Sequence, residues 1–203
     1  MRRSPVTLRG SRIRLRPLST RDAESLEVIL RDPRATRFLP PQVRRETGRA
    51  FVARVLRQVA RGDGDAFAIL KDPGEKVVGQ IRFFNTLPEE RRAEVGYWLD
   101  RRHWGQGLAT EALQTLVRWG FEVRGLHRVE ATVMAGNLAS RRVLEKAGFR
   151  WEGRRRSAAL SSGRWRDEWL FGRLSDDRPR ARRTRGPTGK GAHRKGRAPR
   201  PAR

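Results

Sequence analysis

The chain has 203 residues, with 47 Lys/Arg against 22 Asp/Glu, a formal net charge of +25 and no cysteine. That length suffices for one domain with a proper core, the lack of cysteine excludes a disulfide framework and a thiol nucleophile, and no run of about eighteen apolar residues exists to span a membrane. Met1-Arg2-Arg3-Ser4-Pro5 leads into no apolar stretch of the signal-peptide kind, so a soluble cytoplasmic protein is expected.

Arg12-Ile13-Arg14-Leu15-Arg16 alternates, predicting a half-buried strand that Pro17 and Leu18 end. Ser19 or Thr20 can cap a helix with Asp22 and Glu24 in its first turn, Leu26, Ile29 and Leu30 on its apolar face, and Pro33 closing it. After a loop holding Pro40-Pro41, a second helix over about 45–61 carries Phe51, Val52, Val55, Leu56 and Val59 at helical spacing, and Gly62-Asp63-Gly64-Asp65 breaks it. Three strands follow: Ala66–Leu70, Val77–Phe84 beyond the Asp72-Pro73-Gly74 turn, and a third reaching Leu99 after Pro88-Glu89-Glu90. Gly79 and Gly96 interrupt two of them, as at a bulge or a close backbone approach. Apolar residues from Leu108 to Phe121 recur with helical period. A strand at His127–Met134, a helix over about 138–147 ended by Gly148, and strands at Phe149–Trp151 and Arg164–Arg173 around a Ser161-Ser162-Gly163 turn complete the order β-α-α-β-β-β-α-β-α-β-β.

Residues 175–203 contain no Val, Ile, Leu, Met, Phe, Trp or Tyr and hold 11 Lys/Arg against two Asp. They cannot bury enough apolar surface to offset ordering entropy, so the chain divides into a domain over 1–174 and a disordered basic tail over 175–203. The tail's Arg/Lys/Pro/Gly mix suits contact with RNA or the ribosome, or a solubilising appendage. Residues 1–174 are basic as well. This favours polyanions, or else reflects Arg standing in for Lys on a solvated surface.

The stretch Glu94–Thr110 reads as a strand, a turn and a helix start. In the turn Arg102-His103-Trp104-Gly105-Gln106-Gly107, glycines let backbone N–H groups approach a ligand, and the following helix aims its positive end at the turn. That suits a pyrophosphate, although Gly-x-Gly by itself also describes a tight strand-to-helix turn.

Arg102-x-x-Gly105-x-Gly107 resembles the pyrophosphate motif of the GNAT superfamily of N-acetyltransferases, which grip acetyl-coenzyme A this way. The strings Glu-Val-Gly-Tyr-Trp-Leu-Asp (94–100) and Trp-Gly-Gln-Gly-Leu-Ala-Thr-Glu-Ala-Leu (104–113) are similar to its Rim-type branch, the ribosomal-protein N-terminal acetyltransferases and their small-amine-modifying relatives. A second segment, Asn137 to Phe149, resembles the family's Asn-x-x-Ser/Ala run ending in Lys-x-Gly-Phe. The resemblance covers about residues 6–174. It implies an α/β (α+β) GNAT fold: a mixed, mostly antiparallel, splayed sheet flanked by helices.

The resemblance implies acetyl transfer to a primary amine with acetyl-CoA as co-substrate. The coenzyme would meet Leu99, Arg102, Trp104, Gly105, Gln106, Gly107, Leu108, Ala109, Thr110, Asn137 and Ser140, with the N–H groups of Gln106 to Ala109 on the pyrophosphate. A backbone N–H near Leu99 would meet the oxyanion. Glu94 matches the family's acidic position and would be the base, with an ion pair to one of the many arginines as the plain alternative. A pure strand count puts Glu94, Gly96 and Trp98 on one face. Asn137 would bond the pantetheine arm or a water near the thioester, while also serving as a helix N-cap. One departure stands out: many members carry Tyr seven residues after that Asn to protonate the leaving thiolate, and here the residue is Leu144. Leu has no proton to give, which leaves Ser140 or a water.

His103 lies in the turn, against coenzyme or solvent, and His127 reads as structural. The three histidines lie far apart, so no metal is expected. Asp167 matches an acidic position in the family's last strand, to orient an amine or pair with an arginine. Trp98, Trp104 and Trp119 read as packing. The acceptor would be read by loops at about 31–45 and 152–163. Three functions follow: an acetyltransferase for a protein N-terminus, such as that of a ribosomal protein; a small-amine acetyltransferase for an antibiotic, polyamine or amino acid; or an RNA- or ribosome-binding module on the same fold. No membrane partner is implied, and the protein is a monomer or homodimer.

Overall fold

The Arg12–Arg16 alternation becomes a strand in a computed structural model that describes residues 6–161 and 163–177. In chain order the strands are β1 (Leu8–Arg9), β2 (Ile13–Pro17), β3 (Asp65–Lys71), β4 (Val77–Leu87), β5 (Arg92–Leu99), β6 (Arg128–Met134), β7 (Arg150–Ser161) and β8 (Arg164–Leu174). The helices are α1 (Ala23–Leu30), α2 (Pro33–Thr36), α3 (Pro41–Arg44), α4 (Gly48–Ala60), α5 (Leu108–Glu122) and α6 (Leu138–Lys146). They build the α/β fold that the resemblance implies. All eight strands join in one open sheet of order β1-β2-β3-β4-β5-β6-β8-β7, antiparallel throughout except where β5 runs parallel to β6.

Alternation along the strands feeds two cores. One face sends Ile13, Leu15, Phe67, Ile69, Ile81, Phe83, Val95, Val129 and Val133 against Leu108, Leu113, Leu116 and Val117 of α5 and Leu144 of α6. The other sends Ala68, Leu70 and Trp98 against Leu26 and Ile29 of α1 and Phe51, Val52 and Val55 of α4, where the Phe51 and Trp98 rings meet edge-on at 5.5 Å. Each fully buried Leu, Ile or Phe contributes about 1.5–3 kcal/mol, so the two clusters fix which helix covers which face.

Several elements differ from the pattern reading. A short β1 precedes the first expected strand. Ser19 caps a 3₁₀ turn, accepting and giving bonds with buried Asp22, and α1 proper begins only at Ala23. Pro33 does not merely close α1: with Asp32 as cap it opens α2, as its fixed φ and missing N–H allow. Pro41 likewise opens α3 inside the expected loop. Gly48, the first residue of α4, lets that helix touch α1, since a Cβ there would sit 2.1 Å from the Ala23 carbonyl oxygen. Gly79 marks a close approach of β4 to β5, its Cβ position lying 2.3 Å from the Trp98 oxygen.

The larger correction is β7. The expected strand ended at Trp151 and the acceptor loop ran over 152–163, but the strand continues to Ser161. Its Arg-rich run is exposed on both faces because β7 is the sheet edge, so it lacks the alternation a half-buried strand displays. Ser162 of the expected turn lies outside the described residues, and so does the tail from 178 onward, including most of the segment expected to be disordered. The described chain closes beyond β8, where Asp177 accepts from the Leu174 N–H (2.9 Å) and pairs with Arg150 (2.7 Å).

Candidate active site

The glycine turn sits between β5 and α5, and its shape follows from four anchors. Asp100 accepts from the Arg102 N–H at 2.9 Å and holds the Arg102 guanidinium at 3.0 and 3.1 Å. Arg102, expected to meet the coenzyme, is folded back on Asp100. Trp104, expected to pack, is 46% exposed, and its Nε1 donates to the Leu99 carbonyl at 3.1 Å. The Gln106 side chain donates to the Arg102 carbonyl and accepts from Lys71 Nζ, both at 3.1 Å. The fourth anchor comes from the residue just before β2: the Arg12 guanidinium donates to the Gln106 carbonyl at 3.0 Å.

That last bond has a geometric consequence. In a trans peptide the C=O of Gln106 and the N–H of Gly107 point in opposite directions. Holding the carbonyl toward β2 therefore turns the Gly107 N–H the other way. Gly107 has φ 78° and begins α5 with no side-chain cap, so the N–H groups of Leu108, Ala109 and Thr110 have no intrahelical partner. Gly105 has φ 73°, and a Cβ there would meet nothing within 4 Å. The turn thus offers open space, converging N–H donors and a positive helix end, which fits the pyrophosphate of acetyl-CoA.

Arg12 is itself held by Glu111 in the first turn of α5. Glu111 accepts from the Ser11 hydroxyl (3.0 Å), the Arg12 N–H (2.7 Å) and Arg12 Nε (3.0 Å). Burial works to raise its pKa, but these donors outweigh it and hold the carboxyl below its ordinary value.

Beside the turn the sheet splits. β5 and β6 pair only over Arg92–Glu94 with Arg128–Glu130, and beyond Glu94 they diverge. The Asp100 N–H donates to the Val78 carbonyl. Because ladder bonds alternate along an antiparallel strand, the N–H of Leu99 faces away from β4, toward the split. Its carbonyl is already taken by Trp104, so the N–H is the group left for a ligand.

Glu94 stands where the split begins. Its Oε1 accepts from the Thr132 hydroxyl at 3.0 Å and its Oε2 from the Asn85 amide at 2.6 Å. The alternative ion pair with arginine is not formed among the described residues; two neutral donors hold the carboxylate. Asn85 reaches it from a bulge in β4 between Phe84 and Leu87, at φ 48°. As the strand count predicts, Glu94, Gly96 and Trp98 share a face, that of α1 and α4. Arg82 lies on this face too, stacked over Phe84 and donating to Gln58 at 2.8 Å. Burial, with repulsion from Arg54, lowers its pKa to about 10.

The opposite face carries the second motif. Asn137 Oδ1 accepts from the Ser140 N–H at 3.1 Å, an N-cap for α6. Leu144 is fully buried in the core. Tyr97 of β5 reaches across to this turn, with its hydroxyl 3.0 Å from Ser140 Oγ. His103 Nδ1 is buried without a partner among the described residues, whereas His127 lies beside the turn after β8, 3.4 Å from the Ser175 hydroxyl. Asp167 pairs with Arg154 and accepts from the Ser157 N–H, so it serves the β7 bulge.

The sequence reading missed Arg12, Asn85, Glu111, Thr132 and Tyr97. Only Glu111 carried a local signal, as an acid in a first helical turn; the others act across strand or helix contacts that no spacing encodes.

A family model described as an acetyltransferase (GNAT) domain matches residues 12–150. The chain is 32% identical over 170 residues to the uncharacterized N-acetyltransferase p20 of Bacillus licheniformis, across 83% of this chain and 96% of that protein. It is 33% identical over 116 residues to the ribosomal-protein-serine acetyltransferase of Escherichia coli, across 57% of this chain and 64% of that one. Among solved structures, Mycobacterium smegmatis RimJ in complex with CoA-disulfide aligns with a TM-score of 0.77 and 31% identity, over 87% of this chain and 91% of that one.

Proposed function

This chain belongs to the acetyltransferase (GNAT) family, and from that premise we propose that it transfers the acetyl group of acetyl-CoA to the N-terminal α-amine of a protein, of the ribosomal-protein kind. The observation that carries the reading is the Glu94 carboxylate at the opening of the β5–β6 split, held by the neutral donors Asn85 and Thr132 while its strand neighbour Glu130 is paired with Arg92 and Arg128. A carboxylate at that place, with no cation paired to it among the described residues, can take a proton from one ammonium group.

The acceptor reading draws support from two sides. Relatives include the Escherichia coli ribosomal-protein-serine acetyltransferase and Mycobacterium smegmatis RimJ. On the Glu94 face, Arg82 and Arg54 add positive charge, with Glu46 paired to Arg54 and Asp63 and Glu94 acting on Arg82. That field repels a polyamine and tolerates a peptide end, whose single charge sits beside neutral amide groups. In the proposed reaction the α5 N–H groups hold the pyrophosphate, the Leu99 N–H meets the developing oxyanion, Glu94 removes the amine proton, and Ser140 donates toward the departing sulfur.

The test is thiol release from acetyl-CoA, which this cysteine-free chain does not obscure. N-terminally free peptides, the same peptides with blocked N-termini and an internal lysine, and spermidine are compared, with fragmentation locating the acetyl group. Acetylation of the α-amine supports the reading. Turnover with spermidine or lysine side chains alone refutes it.

A further inference from the structure

We propose that Tyr97 is a positioning residue that holds the Ser140 hydroxyl as the hydrogen-bond donor to the sulfur leaving at the β5–β6 split. The inference rests on acyl transfer at this site, as read above. It addresses the position where Leu144, fully buried beneath α6, supplies no proton.

Tyr97 is the only tyrosine of the chain. It lies on β5 three residues beyond the last parallel pair, Glu94 with Glu130, and so inside the diverging part of the sheet. Its ring packs on the core under α5 and α6, which fixes where the hydroxyl emerges. That point is the first turn of α6, with the phenol oxygen 3.0 Å from Ser140 Oγ and 3.3 Å from the Ser140 carbonyl oxygen. Ser140 is fixed from the other side by the Asn137 cap on its N–H.

A serine hydroxyl has one proton and two acceptor positions. When the phenol donates to Oγ, the serine proton is released from Tyr97 and turns toward the split. Burial pushes the Tyr97 hydroxyl's pKa up, against the opposing pull of its bond to Ser140, so it stays protonated across the assay range. The amine nitrogen forms the new C–N bond to the acetyl carbon, the bond that breaks is C–S, and its electron pair remains on sulfur. The Ser140 O–H bonds that sulfur, and the proton completing the thiol is the one the amine surrenders to Glu94, returned through solvent.

The experiment compares full-length wild type, Tyr97→Phe, Ser140→Ala and the double variant with acetyl-CoA and an N-terminally free peptide. Tyr97→Phe keeps the ring and the core. Its kcat is expected to fall about tenfold, the size of one hydrogen bond to developing charge, while KM for acetyl-CoA stays within about twofold. In the Ser140→Ala background the same change is expected to cost less than about twofold, because a residue acting through another has nothing left to act on. Tyr97→Phe with unchanged kcat, or a full additional loss in the double variant, overturns the inference. If the peptide is not acetylated by wild type, the acceptor reading fails by itself. The four proteins are then compared by hydrolysis of acetyl-CoA to free thiol, which needs no acceptor and reads the same leaving step.

Discussion

The Arg12–Glu111 clasp gives the sharpest test of how this fold prepares its phosphate turn. Replacing Glu111 by Ala removes acceptors from the Ser11 hydroxyl, the Arg12 N–H and the Arg12 guanidinium together. The ion pair itself contributes little, since the Arg12 side chain is 54% exposed and such pairs are worth about 0–1 kcal/mol. The backbone and hydroxyl bonds add about 1 kcal/mol each. Glu111→Ala is therefore expected to destabilise the protein by about 2 kcal/mol, lowering Tm by about 6 °C for a domain of this size. Glu111→Gln keeps an oxygen for the Arg12 N–H and should cost about half as much. The functional consequence is separable. Once Arg12 is loose it no longer fixes the Gln106 carbonyl, so the Gly107 N–H loses its aim. Loss of one such donor is worth about 1.4 kcal/mol, or tenfold in the Kd for coenzyme A by calorimetry. Arg12→Ala should match this loss, and the double variant should add little to either. A Glu111→Ala protein that is destabilised yet binds coenzyme A with unchanged affinity would refute the link between clasp and turn. Destabilisation below about 0.5 kcal/mol would refute the energetic reasoning itself.

Glu94→Gln is expected to lower kcat/KM by at least about 100-fold at neutral pH with little change in coenzyme affinity, whereas Asn85→Ala, which removes one support of the carboxylate, should cost about tenfold; steady-state thiol release measures both. Gly105→Ala and Gly107→Ala both place an L side chain at positive φ and should each destabilise by about 1–2 kcal/mol in urea titration, the strain lying in the backbone because neither Cβ meets more than an ordinary contact. Acid should unfold the protein through its held carboxylates: Asp100 is kept low by the Arg102 guanidinium, Asp32 by the Arg34 N–H, and Glu111 by Arg12 and Ser11 against the opposing effect of burial. Lowered pKa values mean that the unfolded chain binds these protons first, so the stabilisation is full above about pH 5 and is lost as pH falls below about 4. Urea midpoints taken from pH 7 to 3 should show that fall, and a shallower one in Glu111→Ala.

What could be read from the residues was local. The Arg12–Arg16 alternation, the Leu108–Phe121 period, Gly107 at a helix start and Gly148 at a helix end each report a conformation set by neighbours in sequence, and each element formed. β7 failed for the same reason in reverse, because an edge strand exposed on both faces carries no alternation to read. The groups that aim the site are of another kind. Arg12 meets Gln106 across 94 positions, Tyr97 meets Ser140 across 43, and Thr132 meets Glu94 across 38. Each depends on how the sheet order brings distant strands, turns and helices together, which no window of sequence contains. The motif residues Gly105, Gly107 and Asn137 mark where a ligand can lie. The distant partners decide whether the N–H of Gly107, the carboxylate of Glu94 and the hydroxyl of Ser140 point at it. This division predicts that substitutions at Arg12, Asn85 and Tyr97 act on binding or rate while leaving the motif intact, so an unbroken motif by itself does not guarantee an aimed site.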